Sequence, residues 1–244
     1  MTTAARSLRV GSALPDPPFE FRDGETPEGF DVEFTRAVAQ VLGLEWSLVP
    51  YRGTDFNGIF DALAGDEFDC IASGTTVTPE RRTRADFCAP YLVSGQSLAV
   101  DTSRHPGVRG VDDLGGLTVG VQHGNTSQPI VERLVVEGRA GAIRVYAYDR
   151  IGQALDDLSS GGCDAVMKLA PVLTWLVRDR PHVEVVERGI SREEIAVAVR
   201  TGDHALRERI ESAQRTLAAD GTLDRLRSRW LGIGETKGGS FPPS

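Results

Sequence analysis

Short apolar runs alternate with helical stripes along this chain, and the alternation occurs twice. Residues 7–10 read as a strand leading into 11–18, a proline-rich loop that cannot be helical. Apolar residues then recur at Phe30, Phe34, Val38, Val41 and Leu42, a helical stripe stopped at Gly43. Residues 46–50 alternate as a strand, 56–64 read as a short helix, and 68–73 read as a buried strand. That β-α-β-α-β order marks an α/β unit with a largely parallel sheet. Residues 91–100 read as one more strand, and then the order restarts. Strands at 118–121, 143–147 and 164–167 are interleaved with helices at 129–137, 150–159 and 171–178. A strand at 195–199 follows, and a long helix from His204 breaks at Gly221 and resumes to Trp230. At 244 residues the chain is long for one core and comfortable for two.

Composition narrows the function. With 40% apolar and 25% charged residues the chain is an ordinary globular one. A net charge of −8 argues against nucleic acid as a partner, because phosphates repel such a surface. No apolar run approaches the ~20 residues that cross a bilayer. The first residues lack the apolar stretch of a secretory signal, so a signal segment is expected to be absent from this chain. Cys70, Cys88 and Cys163 are odd in number, without CxxC spacing, and sit in strand-like runs as small hydrophobes. The histidines at 105, 123, 182 and 204 have no metal-ligand spacing. Neither a cofactor nor a metal is expected. Only Lys168 and Lys237 are lysines among the 27 basic residues. That bias is compositional, yet it makes an interior lysine conspicuous.

Several blocks stand in a telling order: Pro18-Phe19-Glu20-Phe21, Gly29-Phe30-Asp31-Val32-Glu33, 69–78 with Pro79-Glu80-Arg81, Asp86-Phe87-Cys88-Ala89-Pro90-Tyr91, Gly120-Val121-Gln122-His123-Gly124-Asn125-Thr126, Gly162-Cys163-Asp164-Ala165-Val166, and Ala219-Asp220-Gly221-Thr222-Leu223 closing at Arg229-Trp230-Leu231-Gly232. With this spacing the chain resembles the extracytoplasmic solute-binding proteins of polar amino-acid ABC transporters, family 3. The resemblance implies an α/β, two-lobed, type II periplasmic-binding-protein-like fold. Its two crossover strands fall near 94–100 and 188–197, and a ligand lies between the lobes. Lobe one is expected at 1–94 plus 190–232, lobe two at 95–189, and a disordered tail at 233–244. The implied protein is a monomeric, extracytoplasmic, non-catalytic solute carrier that presents a small carboxylate-bearing ligand to ABC permease subunits, with a cytoplasmic location left open. Two other readings stand beside it: an enzyme resembling cyclohexadienyl dehydratases, and the ligand-sensing domain of a receptor.

A small zwitterion needs a cation for its carboxylate, N–H donors, and acceptors for its ammonium. Arg81 can grip a carboxylate with two parallel charge-assisted bonds; the alternative is a surface arginine like Arg82 and Arg84. Thr76 can offer hydroxyl and N–H, or serve as a helix cap. The Gly74 carbonyl can accept from an ammonium, and Ser73 opens the same loop. Asn125 and Thr126 precede a helix whose N-terminal N–H groups suit an anion, or they simply cap it. By the resemblance, Phe56 is an aromatic wall against the ligand side chain, with core packing as its alternative. Asp16 occupies a position that is usually aromatic, or is a turn-former before Pro17. The family places the ammonium's aspartate where this chain has Leu169, with Lys168 beside it on what reads as the same wall. That favours, by a small margin over a conventional amino acid, a compact carboxylate whose α-amino group is unusual or absent, or one with a second acidic group facing Lys168. The stretch after Lys168 carries no carboxylate to act as a dehydratase acid.

Overall fold

The computed structural model describes residues 7–232; the tail expected to be disordered, 233–244, lies outside them. The described residues fall into two compact units, one formed by 7–51, 59–93 and 194–232, the other by 52–58 and 94–193.

In the first unit β1 (Ser7–Ser12) is followed by a small hairpin, β2 (Phe21–Asp23) and β3 (Thr26–Glu28), and by α1 (Phe30–Val41). Then come β4 (Glu45–Pro50), α2 (Ile59–Ala64), β5 (Cys70–Ile71), the single turn α3 (Pro79–Arg82) and β6 (Asp86–Phe87). β1 lies between β4 and β5, parallel to both. α1 buries Phe30, Phe34 and Val38, the spacing of its apolar stripe. Phe30 and Phe34 pack on Tyr91 with ring centroids 5.3 and 5.2 Å away.

The chain leaves the first unit within β7 (Leu92–Ser94). The second unit contains β8 (Gln96–Asp101), β9 (Thr118–Gln122), α4 (Ser127–Val136), β10 (Ala142–Tyr146), α5 (Ile151–Ser160), β11 (Ala165–Leu169), α6 (Ala170–Val177) and β12 (Val183–Arg188). Its sheet runs β10-β9-β11-β8-β12, with β9, β10 and β11 parallel and β8 antiparallel to both β11 and β12. Alternation divides its core by face. Leu98, Val100, Val119, Val121, Ala165 and Met167 pack with Val131 and Leu134 of α4. Ala99 and Val166 pack with Leu155 and Leu158 of α5 and Leu173 of α6. A sheet covered on both faces needs such continuous apolar strands. The chain returns within β13 (Glu193–Ile195) to β14 (Ala198–Val199), α7 (His204–Ala219) and α8 (Thr222–Leu231). β14 joins the first sheet antiparallel to β5 and β6.

The structure corrects two expectations. The single strand read over 91–100 is broken at Gly95 into β7 and β8, and 195–199 is divided between β13 and β14. The helix read from Phe56 begins as a 3-10 turn, Phe56–Gly58, and only then becomes α2. Residues 52–58 group with the second unit. The Phe56 N–H donates to the His123 carbonyl at 3.3 Å and the Tyr148 N–H to Thr54 at 2.9 Å, while the Phe56 and Tyr148 rings lie 5.2 Å apart.

Candidate functional site

In both sheets the chemistry-bearing loops leave the carboxyl ends of parallel strands, where open α/β sheets place their ligand sites. The first unit contributes Asp16 from the loop after β1 and Ser73, Gly74 and Thr76 from the loop after β5. Asp16 is buried; its carbonyl accepts from the Phe19 and Glu20 N–H groups, so the residue does form a turn. The Ser73 hydroxyl donates to Glu20 Oε1 at 2.5 Å and accepts from the Ala13 N–H at 3.0 Å. The Gly74 N–H donates to Asp31 Oδ2 at 2.7 Å. Gly74 has φ +53° and packs on the Phe19 ring, so a side chain here would be both strained and crowded. The Thr75 carbonyl accepts from the Ala196 N–H, and the Val77 N–H donates to the Glu194 carbonyl. The loop is thereby stitched to β13 and the residue after it.

Arg81 is 5% exposed. One guanidinium N–H donates to the Thr76 carbonyl at 3.0 Å, and the group sits 5.7 Å from the Phe60 ring centroid, within cation–π range. Arg81 is therefore a buried cation, unlike the exposed Arg82. The helix cap is Thr78, whose hydroxyl accepts from the Arg81 N–H at 3.1 Å.

The same unit holds a group that sequence reasoning missed. Asp31, under the loop, is pushed up to about 7 by burial, and the nearby Asp16 charge adds to the shift. Burial also pushes the Tyr91 phenol up, with Asp31 and Glu20 beside it. Glu20 and Asp31 were legible only as parts of sequence blocks.

The second unit contributes Phe56, Asn125, Thr126, Lys168 and Leu169. Phe56 is buried against Tyr148. The Asn125 side chain donates to Gln122 Oε1 at 3.0 Å. Thr126 precedes α4 without capping it through its side chain; its hydroxyl donates to Glu193 Oε2 at 2.8 Å. Lys168 is 2% exposed. Its ammonium donates to Gln122 Oε1 and lies 5.8 Å from the Tyr148 ring centroid, and the Gln122 amide donates to the Tyr148 carbonyl.

The strand pleat separates two residues that the sequence places on one wall. Met167 belongs to the face covered by α4 and Val166 to the face covered by α5 and α6. By alternation, Leu169 falls on the α4 face and Lys168 on the opposite one. Lys168 accordingly meets Gln122 and Tyr148, whereas Leu169 stands directly across from Gln96.

Among the described residues no group of three or more His, Cys, Asp or Glu is placed to hold a metal ion, and no helix is long and apolar enough to cross a membrane.

Comparison with known proteins accords with this geometry. The family model of the bacterial extracellular solute-binding proteins, family 3, matches residues 8–233. The L-cystine-binding protein TcyJ of Escherichia coli (strain K12) is 32% identical over 235 residues, 95% of this chain and 85% of that protein. Among solved structures, an ancestral arginine-binding protein bound to arginine superposes with a TM-score of 0.85 at 33% identity, covering 93% of this chain and 98% of its own. An ancestral amino-acid-binding protein described as a precursor of cyclohexadienyl dehydratase gives 0.82 at 30% identity, covering 92% and 95%. These are binding proteins, and the neighbours carry the type II periplasmic-binding-protein fold.

Proposed function

Because the chain belongs to the bacterial extracellular solute-binding proteins of family 3, we propose that it captures a small carboxylate-bearing solute, an amino acid or close analogue, and leaves it chemically unchanged. It does so outside the cytoplasm, as a monomer, and delivers the solute to the permease subunits of an ABC importer. The residues assigned to solute binding are Arg81, Thr76, Gly74, Ser73 and Asp16 in the first unit, and Phe56, Asn125, Thr126, Lys168 and Leu169 in the second.

The observation that carries this reading is the buried Arg81 guanidinium at the carboxyl end of a parallel sheet, next to a loop of small residues. A guanidinium fork fits a carboxylate bidentately. A thermal-shift screen of the common amino acids, cystine, dicarboxylates and amines tests it, since a solute that binds only the folded chain raises its melting temperature. A stabilising carboxylate whose effect vanishes in Arg81→Ala supports the reading. Silence across all classes, or a shift that survives Arg81→Ala, overturns it.

A further inference from the structure

By its resemblance to the family, the chain carries Leu169 where an aspartate would meet the solute's ammonium, and a leucine cannot accept a hydrogen bond. The residue directly across from it on the neighbouring strand is Gln96. Directly opposed residues project on the same face of a sheet with neighbouring Cβ atoms, so Gln96 stands where an acceptor is missing. Its side chain is 2% exposed and its orientation is determined by its partners. The amide nitrogen donates to Glu193 Oε1 and to Thr126 Oγ1, both at 3.0 Å. Flipping the amide would set its oxygen against the Glu193 carboxylate, so the nitrogen is assigned to that side. The oxygen, Oε1, is buried and has no hydrogen-bond partner among the described residues. A buried acceptor left unsatisfied is costly.

Glu193 lies behind it. Besides the Gln96 amide, its carboxylate accepts from the Ser191 hydroxyl at 2.7 Å and the Thr126 hydroxyl at 2.8 Å. Gln96 is further tied down by its own N–H, which donates to Ser191 Oγ at 2.9 Å. The backbone here is equally committed, since a Cβ on Gly95 would lie 1.9 Å from the Ser191 carbonyl oxygen. The result is an oriented acceptor backed by a carboxylate and beside Thr126, a residue of the proposed site.

We propose that the Gln96 side-chain oxygen, with the Glu193 carboxylate behind it, receives the solute's ammonium group in place of the acceptor that Leu169 lacks. This rests on the reading of the chain as a solute carrier and sharpens it: the solute keeps its α-amino group. Gln96 acts as a specificity-determining residue and Glu193 positions it.

The test pairs L-arginine, L-lysine, L-glutamine and L-cystine with their deaminated twins, δ-guanidinovalerate, ε-aminocaproate, glutaramate and dithiodipropionate, in calorimetry. Wild type is expected to bind at least one of the four amino acids and to prefer it to its twin. Gln96→Leu should weaken that amino acid about 10- to 100-fold, the worth of a hydrogen bond to a charged group, and leave the twin's affinity unchanged. Glu193→Gln, which removes the charge but keeps the volume, should weaken only the amino acid as well. Should Gln96→Leu be too unstable, Leu169→Asp in the wild-type background supplies the acceptor from the opposite strand, and the amino acid should then gain on its twin. An equal loss for both members, no loss for either, or no amino-acid binding at all overturns the proposal. If deaminated carboxylates alone bind, the carrier reading stands and this inference falls. If nothing in the broader screen binds, the carrier reading itself fails.

Discussion

Asp31 shows how burial sets a residue's chemistry. Its carboxyl accepts from the Gly74 N–H, which helps the charged form, yet desolvation dominates and moves it from 3.8 to about 7. Between those values the folded chain keeps a proton that the unfolded chain has released. Stability contributed at this site is therefore full below pH ~4 and is lost as pH rises to ~7, at roughly 1.4 kcal/mol per unit of separation. In Asp31→Asn the side-chain oxygen still accepts from Gly74 but no longer titrates. Denaturation midpoints should move in favour of the variant as pH rises from 4 to 7, and the difference should level off above that. A difference that stays flat with pH would show that Asp31 titrates normally. Arg81 makes a second prediction at this scale. Removing one partner of a buried charge pair costs about 2–5 kcal/mol, so Arg81→Ala should lose that much affinity for a carboxylate solute in calorimetry. Arg81→Lys should recover only part, because it keeps the charge but not the fork.

Among the elements, the break between β7 and β8 is the most demanding. A methyl on Gly95 meets the Ser191 carbonyl, a backbone group that cannot swing aside, so Gly95→Ala should destabilise the chain by about 1–3 kcal/mol in chemical denaturation; unchanged stability would contradict this packing. The sequence did not reveal the break, since 91–100 reads as one strand. β12 was not legible either: it is an edge strand with an irregularity between Val185 and Glu187, and three of its six residues, Glu184, Glu187 and Arg188, are charged. The strands buried on both faces, β9 and β11, and the striped α1 stood out because burial forces their composition. The site divides along the same line. Loop 73–76 and Arg81 are close in sequence, so their chemistry could be read directly. Gln96 and Glu193 are 97 residues apart and meet through strand pairing that no local pattern encodes. The opposite faces of Lys168 and Leu169 follow from the pleat once β11 is placed between β9 and β8.

For the whole molecule, the carrier reading makes a quantitative claim about linkage. A solute at a hundred times its dissociation constant stabilises the folded chain by about 2.7 kcal/mol. At ~2–4 °C per kcal/mol for chains of this size, the melting temperature should rise ~5–11 °C. The same reading predicts an absence of chemistry, and here the structural likeness to a precursor of cyclohexadienyl dehydratase gives the test its edge. Loss of water from a cyclohexadienyl ring needs a positioned acid to protonate the departing hydroxyl. The carboxyl end of β11 offers Leu169, and α6 continues with Ala170, Pro171, Val172 and Leu173, none of which holds a transferable proton. Glu193 lies on the Leu169 side, but its carboxylate is engaged by the Gln96 amide and by the Thr126 and Ser191 hydroxyls. Prephenate and arogenate incubated with the protein should therefore remain intact. Phenylpyruvate or phenylalanine forming faster than in buffer would refute this, and loss of that rate in Asp16→Asn would identify the acid on the first unit.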